Sequence, residues 1–136
     1  MDDDVVINKL ATIERCLSRI KEVYQQAGDH FLSDYTRQDS IILNLQRACE
    51  ASIDLANYIT KLKNLGIPQS SRNSFELLQK AGLLPLEISD NLKKMVGLRN
   101  IAIHYYQELN LEIVKYVVEN HLVDFQRFGK VIKSLE

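Results

Sequence analysis

The residues with the clearest chemical potential lie close together, in the order Arg99, Asn100, His104 and Tyr106. An arginine guanidinium is always charged, and its planar fork matches the oxygens of a phosphate. A histidine with an unperturbed pKa of about 6.5 gives or takes a proton near neutral pH. Phosphate binding and proton transfer are therefore the chemistry that these residue types suit.

Helical spacing brings only some of these side chains together. Asn100 and His104 are four residues apart and share a face if the helix extends that far, and Arg99 and Tyr106 share another at a spacing of seven. Arg99 and His104 are five apart, which is about 140° around an ideal helix. An arginine and a histidine in a last turn also stabilise the helix end, because they meet its negative dipole and its free carbonyls. The residues alone leave both interpretations open.

Gly97 precedes this group by two positions. A glycine inside a helix costs about 1 kcal/mol relative to alanine, so its presence indicates that something packs closely there. Either a neighbouring helix or a ligand would explain it.

Apolar periodicity predicts the elements that position these residues. Stripes at alternating spacings of three and four predict helices over 4–24 and 36–65, and a last helix over 111–135 that Asn110 caps. A further helix is predicted over 85–104, with Pro85 at its first position. A short helix is predicted over 74–80, with Ser71 or Asn73 as its cap, and Gly129 is expected to fray or kink the last helix. No strand pattern appears. The sequence predicts an all-α antiparallel four-helix bundle with one additional short helix, in a single domain over residues 1–136.

Composition and charge exclude several classes of protein. The chain has 136 residues, 46% hydrophobic and 26% charged, as in a globular domain, and its five Gly and two Pro are few for an all-β fold. A formal net charge of −1 provides no global basic field, so nucleic-acid binding would have to be local. Lys93, Lys94 and Arg99 in one helix would supply local positive potential, although a plain solvated face is the favoured explanation of the two lysines.

No cofactor or metal is expected. His30 and His121 stand alone, the chain has no glycine-rich phosphate loop, and Cys16 and Cys49 fall on or beside apolar seams as buried packing residues. The N-terminus, Met1-Asp2-Asp3-Asp4, is acidic where a signal peptide would be basic. No apolar run is long enough for a membrane span, so we expect a cytoplasmic protein with no membrane association.

The segment Arg99-Asn100-x-x-x-His104-x-Tyr106 resembles the Arg-x4-His-x-Tyr motif of the HepT-type toxins, which belong to the HEPN superfamily of helical ribonucleases. Residues 45–59 resemble the second helix of that family, and residues 95–100 resemble the approach to its motif. The resemblance covers residues 5–130 in matching helix order. Tyr58 departs from it, because many relatives have a histidine at this position.

The resemblance implies a HEPN-like fold and a metal-independent endoribonuclease that acts as the toxin of a toxin–antitoxin pair. It also implies a homodimer in which two motif copies face one cleft. The implied antitoxin is a small nucleotidyltransferase that transfers AMP to Tyr106 and thereby neutralises the toxin.

The residue chemistry is compatible with RNA cleavage. We expect Arg99 and His104 to be catalytic, His104 as general base or acid and Arg99 as phosphate clamp, with cleavage leaving a 2′,3′-cyclic phosphate. Asn100 is expected to support them by orienting His104 or binding the RNA backbone.

A polar face on the second helix has two interpretations. Its members are Arg47, Glu50, Asp54 and Asn57. It either faces water, with Arg47 and Glu50 as an ion pair, or lines a cleft in which a carboxylate holds Arg99 or fixes the tautomer of His104. Asp54 is the residue that we expect in that supporting role.

Two other functions remain open at this point. If Arg99 and His104 bind phosphate without catalysing a reaction, the chain would be a non-catalytic helical partner that binds nucleotide or substrate for a nucleotidyltransferase. It would be a dimerisation module if the motif is merely a helix end.

Overall fold

Residues 3–135 are described by the computed structural model, and most of them lie in helices. The α-helices within this range are α1 (Asp4–Ala27), α2 (Tyr35–Leu62), α3 (Ser71–Lys80), α4 (Leu86–His104), α5 (Leu111–Asn120) and α6 (Leu122–Lys133). Short 3-10 helices cover Gly28–Ser33 and Tyr106–Glu108. The described part of the chain contains no strand, which confirms the all-α prediction. Met1, Asp2 and Glu136, at the ends of the predicted domain, lie outside the described residues.

The long helices form a bundle around one apolar core. α1 packs along α2, α6 packs on both α1 and α4, and the short α3 bridges α2 and α4. Phe75 of α3 packs edge to face against Phe128 of α6, with ring centroids 5.7 Å apart. The predicted bundle with one additional short helix is therefore confirmed.

The helix that carries the motif begins and ends close to the predicted positions. α4 starts at Leu86, directly after Pro85, and ends at His104. Asn110 caps α5 as predicted, because its side chain accepts hydrogen bonds from the backbone amides of Glu112 and Ile113.

Other helix boundaries differ from the predictions. α1 extends to Ala27 rather than ending at residue 24. α2 stops at Leu62 rather than at residue 65, since Asn64 adopts a positive φ of 53° that an α-helix cannot include. α3 begins at Ser71, and its cap is Ser70, whose hydroxyl accepts from the amide of Asn73. The predicted caps were wrong: Ser71 is one position and Asn73 three positions after the observed cap. The sequence could not distinguish them, because Ser and Asn side chains can all cap a helix.

The last predicted helix is divided in two, and the break is not at Gly129. The chain turns at His121, whose ring nitrogen Nδ1 lies 2.8 Å from a buried carboxylate oxygen of Asp124. Asn91 of α4 donates to the same carboxylate at 3.2 Å, which ties the break to α4. Gly129 lies inside α6, where an added Cβ would meet Leu10 at 3.4 Å, so close packing explains it.

Both cysteines are buried in the core, as predicted. Burial raises the pKa of the Cys16 thiol, and it raises the pKa of the Cys49 thiol to about 12. Thiols with raised pKa values stay protonated and unreactive, so these residues serve in packing.

Candidate active site

Arg99 is held at the junction of three helices. From α4 its Nη1 donates to Oε1 of Glu50 on α2 at 2.5 Å, and its Nη2 donates to the hydroxyl of Ser71 on α3 at 3.4 Å. The side chain is only 15% exposed, and its Nε is buried without a hydrogen-bond partner in residues 3–135. The guanidinium is thus fixed in position by α2 and α3, with part of its hydrogen-bonding capacity unused.

The carboxylate beside Arg99 is Glu50 and not Asp54. Asp54 lies one turn further along α2, where it forms an ion pair with Lys9 of α1 at 2.8 Å. The expected contact between Asp54 and Arg99 or His104 is therefore absent from the described structure. The packing of the helices explains this difference. Arg99 on α4 lies level with Glu50 along α2, whereas Lys9 on α1 lies level with Asp54.

The remaining polar residues of α2 do not form a simple solvated face either. Glu50 is engaged by Arg99, so the alternative ion pair between Arg47 and Glu50 does not form. The side-chain oxygen of Asn57 accepts a hydrogen bond from the buried hydroxyl of Ser74 on α3. Arg47 is exposed and makes no ion pair within residues 3–135.

His104 is the last residue of α4, and its imidazole is exposed to solvent. It makes no side-chain hydrogen bond within the described residues, and its nearest aromatic neighbour is Tyr105, with ring centroids 6.4 Å apart. Asn100, one turn earlier, is half-buried. One chain does not bring His104 into contact with Arg99, because Arg99 faces α2 and α3 while His104 stands at the open end of α4.

Tyr106 has a partner that the sequence did not indicate. Its hydroxyl donates to Oδ1 of Asp39 at 2.6 Å, across a gap of 67 residues in the chain. This hydrogen bond, with some burial and the negative charge of Asp39, raises the pKa of Tyr106 to about 12. The phenol is therefore protonated and oriented at neutral pH, while 47% of the residue remains exposed.

A groove joins the polar face of α2 to the end of α4. Its walls include Lys9, Arg47, Glu50 and Asp54 on one side and Ile103, the neighbour of His104, on the other. The groove places two cations, Lys9 and Arg47, and two carboxylates, Glu50 and Asp54, beside the motif. The cations suit a phosphate-containing ligand, whereas the carboxylates do not.

The family model described as "Ribonuclease HepT-like" matches residues 13–132 of the chain. The chain belongs to the HepT-like ribonuclease family. The match includes every motif residue from Arg99 to Tyr106 and confirms the resemblance seen in the sequence.

Individual relatives agree with this family. The chain is 61% identical, over 97% of its length and 98% of the relative's, to the mRNA nuclease HepT of Shewanella oneidensis. Its fold is similar to a solved structure of the tri-AMPylated HEPN toxin of Shewanella oneidensis in complex with MNT antitoxin, with a TM-score of 0.93, 60% identity, and coverage of 97% and 98% of the two chains. A second toxin–antitoxin structure, with AMP-PNP, matches with a TM-score of 0.91 and 59% identity over 96% and 98% of the two chains. The HEPN-like fold is thereby confirmed.

Two further features of the described residues bear on function. Between residues 3 and 135, no group of three or more histidine, cysteine or carboxylate side chains is arranged to hold a metal ion. Within the same range, no helix combines the length and the apolar character that crossing a membrane requires.

Proposed function

We propose that this chain is the toxin of a toxin–antitoxin pair and a metal-independent endoribonuclease, with Arg99 and His104 as its catalytic residues. The observation that carries the proposal is that the last part of α4 presents an anchored guanidinium, Arg99, and an exposed imidazole, His104. A nearby groove is lined by Glu50, the partner of Arg99, and by Ile103, the neighbour of His104. The 61% identity to an mRNA nuclease supports RNA as the substrate class.

The proposed chemistry uses the RNA's own 2′-hydroxyl as nucleophile. Its oxygen attacks the adjacent phosphorus, the bond to the 5′-oxygen breaks, and the products are a 2′,3′-cyclic phosphate and a 5′-hydroxyl. One imidazole takes the proton of the nucleophile, another protonates the leaving oxygen, and Arg99 stabilises the charge on the phosphate. Asn100 supports His104 or the RNA backbone, and Glu50 positions Arg99.

This chemistry requires a homodimer, because the motif provides one imidazole per chain. A two-fold axis near His104 would bring two copies of His104 and of Arg99 around one phosphate. The residues beside His104 suit such an interface, since the apolar side chains of Ile101, Ile103 and Tyr105 are exposed there.

A nucleotidyltransferase antitoxin would neutralise the toxin by transferring AMP to Tyr106. The phenolic oxygen would form a bond to the α-phosphorus of a nucleoside triphosphate, and pyrophosphate would leave. The modified oxygen no longer donates to Asp39, and the new phosphodiester charge lies beside that carboxylate and in the path of the RNA. Repulsion and bulk would both block substrate binding.

Induction of the gene alone tests the nuclease proposal. We expect growth arrest from the wild-type chain and none from His104→Ala, while His30→Ala, which changes another exposed histidine, retains the arrest. Circular dichroism of the purified variants verifies that each is folded. An arrest that persists in a folded His104→Ala variant would contradict the proposal, and absence of any arrest would favour the non-catalytic nucleotide-binding alternative.

Co-expression with a cognate nucleotidyltransferase tests the modification. Intact-mass measurement should show the addition of AMP to the wild-type chain, and the first addition should disappear in Tyr106→Phe. An unchanged mass of the wild-type chain would exclude this mode of neutralisation.

A further inference from the structure

Gly97 has a specific neighbour in the structure, and that neighbour is a second arginine. An added Cβ at Gly97 would lie 2.8 Å from Nη2 of Arg72, the second residue of α3. The missing side chain therefore leaves room for the tip of the Arg72 guanidinium against α4. This is the close packing that a glycine inside a helix indicates.

Arg72 is oriented but not neutralised. Its Nε donates to the backbone carbonyl of Lys93 at 3.2 Å, which directs the guanidinium along α4. The residue is exposed, and no carboxylate forms an ion pair with it in the described part of the chain. Its two terminal amino groups thus keep donors that suit the oxygens of a phosphate.

The position of Arg72 relates it directly to the motif. Lys93, Gly97, Asn100 and His104 follow one another at spacings of four, three and four, and so form one stripe along α4. At 1.5 Å per residue, Gly97 lies about 10 Å from His104 along the helix axis. The Arg72 guanidinium lies beside Gly97 and the carbonyl of Lys93, further back along α4 than His104, so it suits a different phosphate from the one at which His104 acts.

Arg72 is also coupled to Arg99 through α3. Ser71, the preceding residue, accepts from Nη2 of Arg99. The first turn of α3 therefore contacts the guanidinium of Arg99 from α4 and directs that of Arg72 to α4. The formal net charge of the chain is −1, so positive potential for RNA has to come from such local groups.

We propose that Arg72 binds an RNA backbone phosphate that flanks the cleaved one, so that the RNA lies along the stripe from Lys93 to His104. Arg72 is a binding residue in this arrangement and takes no part in the bond-breaking step. The inference rests on the proposed ribonuclease function and adds the path that the RNA takes along α4.

Two substrates of different length separate this role from a catalytic one. A single-stranded oligoribonucleotide has flanking phosphates, whereas a mixture of dinucleoside monophosphates has only the scissile one. We expect Arg72→Ala to lower kcat/KM for the oligoribonucleotide about tenfold, the size of one charge-assisted hydrogen bond, and to leave cleavage of the dinucleosides unchanged. Arg127→Ala is the matched control. Arg127 is an exposed arginine on α6, and its Nη1 lies 3.5 Å from Glu87, near the start of α4 and far from His104 at its end.

Binding measured on the uncleaving His104→Ala background provides an independent readout. Adding Arg72→Ala should reduce the slope of log K against log salt by about 0.7 for each phosphate that the protein no longer neutralises, and adding Arg127→Ala should not change it. Loss of cleavage on both substrates, or an unchanged slope together with unchanged oligoribonucleotide cleavage, would overturn the proposal. If the wild-type chain cleaves no RNA but the slope still depends on Arg72, the nuclease function fails while Arg72 remains a phosphate-binding residue.

Discussion

At the scale of single residues, the decisive feature is the contact between Arg99 and Glu50. The carboxylate fixes a guanidinium that is mostly buried, and it offsets the positive charge that Arg99 would present to a phosphate in the proposed function. The groups are 49 residues apart in the chain. The sequence pattern places Glu50 and Asp54 on one helical face, but it cannot tell which of them stands level with Arg99, because that depends on how α2 and α4 pack.

We predict different consequences for the two carboxylates. Glu50→Ala should lower the free energy of unfolding by about 1 kcal/mol, since it leaves a buried guanidinium without its partner, and should lower RNA cleavage about tenfold by loosening Arg99. Asp54→Ala, which removes only an exposed pair with Lys9, should change both by much less. Urea denaturation and cleavage rates of the two variants provide the comparison. Equal effects would show that Glu50 has no special role.

The hydrogen bond between Tyr106 and Asp39 predicts a pH dependence. With its pKa raised to about 12, the protonated phenol is favoured by the folded state, so its contribution to stability is complete below the ordinary pKa of about 10 and is lost as the pH rises through 12. Asp39→Asn should return the pKa of Tyr106 towards 10. NMR titration of labelled tyrosine, with the Tyr106 signal assigned by Tyr106→Phe, measures this. A Tyr106 signal that already titrates near 10 in the wild-type chain would contradict the contact.

At the scale of the elements, local signals were predictable and long-range ones were not. The Asn110 cap could be predicted because the side chain and the amides that it binds are within three residues. The break at His121 could not, since it depends on Asp124 and on Asn91, which belongs to a different helix. Apolar periodicity continues across this break and therefore conceals it.

The break predicts a sensitive position at the start of α6. Asp124 is only 1% exposed, so Asp124→Ala would leave the half-buried side chains of Asn91 and His121 without their shared acceptor. We expect a loss of about 2–3 kcal/mol in the free energy of unfolding. Asp29→Ala, at an exposed aspartate, should change it by less than about 0.5 kcal/mol. Chemical denaturation that gives equal values for both variants would exclude a structural role for Asp124.

Gly97 predicts a gain in stability. Its backbone is helical, and within residues 3–135 the only close neighbour of an added Cβ is the flexible tip of Arg72, which can move aside. Gly97→Ala should therefore raise the free energy of unfolding by about 0.5–1 kcal/mol through helix propensity. Thermal unfolding measures the change. Destabilisation would mean that the Arg72 guanidinium cannot move as the structure suggests.

At the scale of the whole molecule, the fold follows closely from the sequence. The apolar stripes that predicted α1 and α2 are the faces that pack together, and scarce glycine and proline left few other architectures. The complete site is less predictable, because one chain presents Arg99 and His104 on different sides of α4. In the proposed homodimer, their convergence would depend on which surfaces of the two chains meet.

The chemical nature of the RNA ends tests the central claim most directly. The purified wild-type chain and His104→Ala are incubated with RNA in excess EDTA, and the new termini are identified by mass spectrometry. We predict 2′,3′-cyclic phosphate and 5′-hydroxyl ends from the wild-type chain and no new ends from His104→Ala. Products with a free 3′-hydroxyl, or cleavage that EDTA abolishes, would contradict a metal-independent mechanism based on Arg99 and His104.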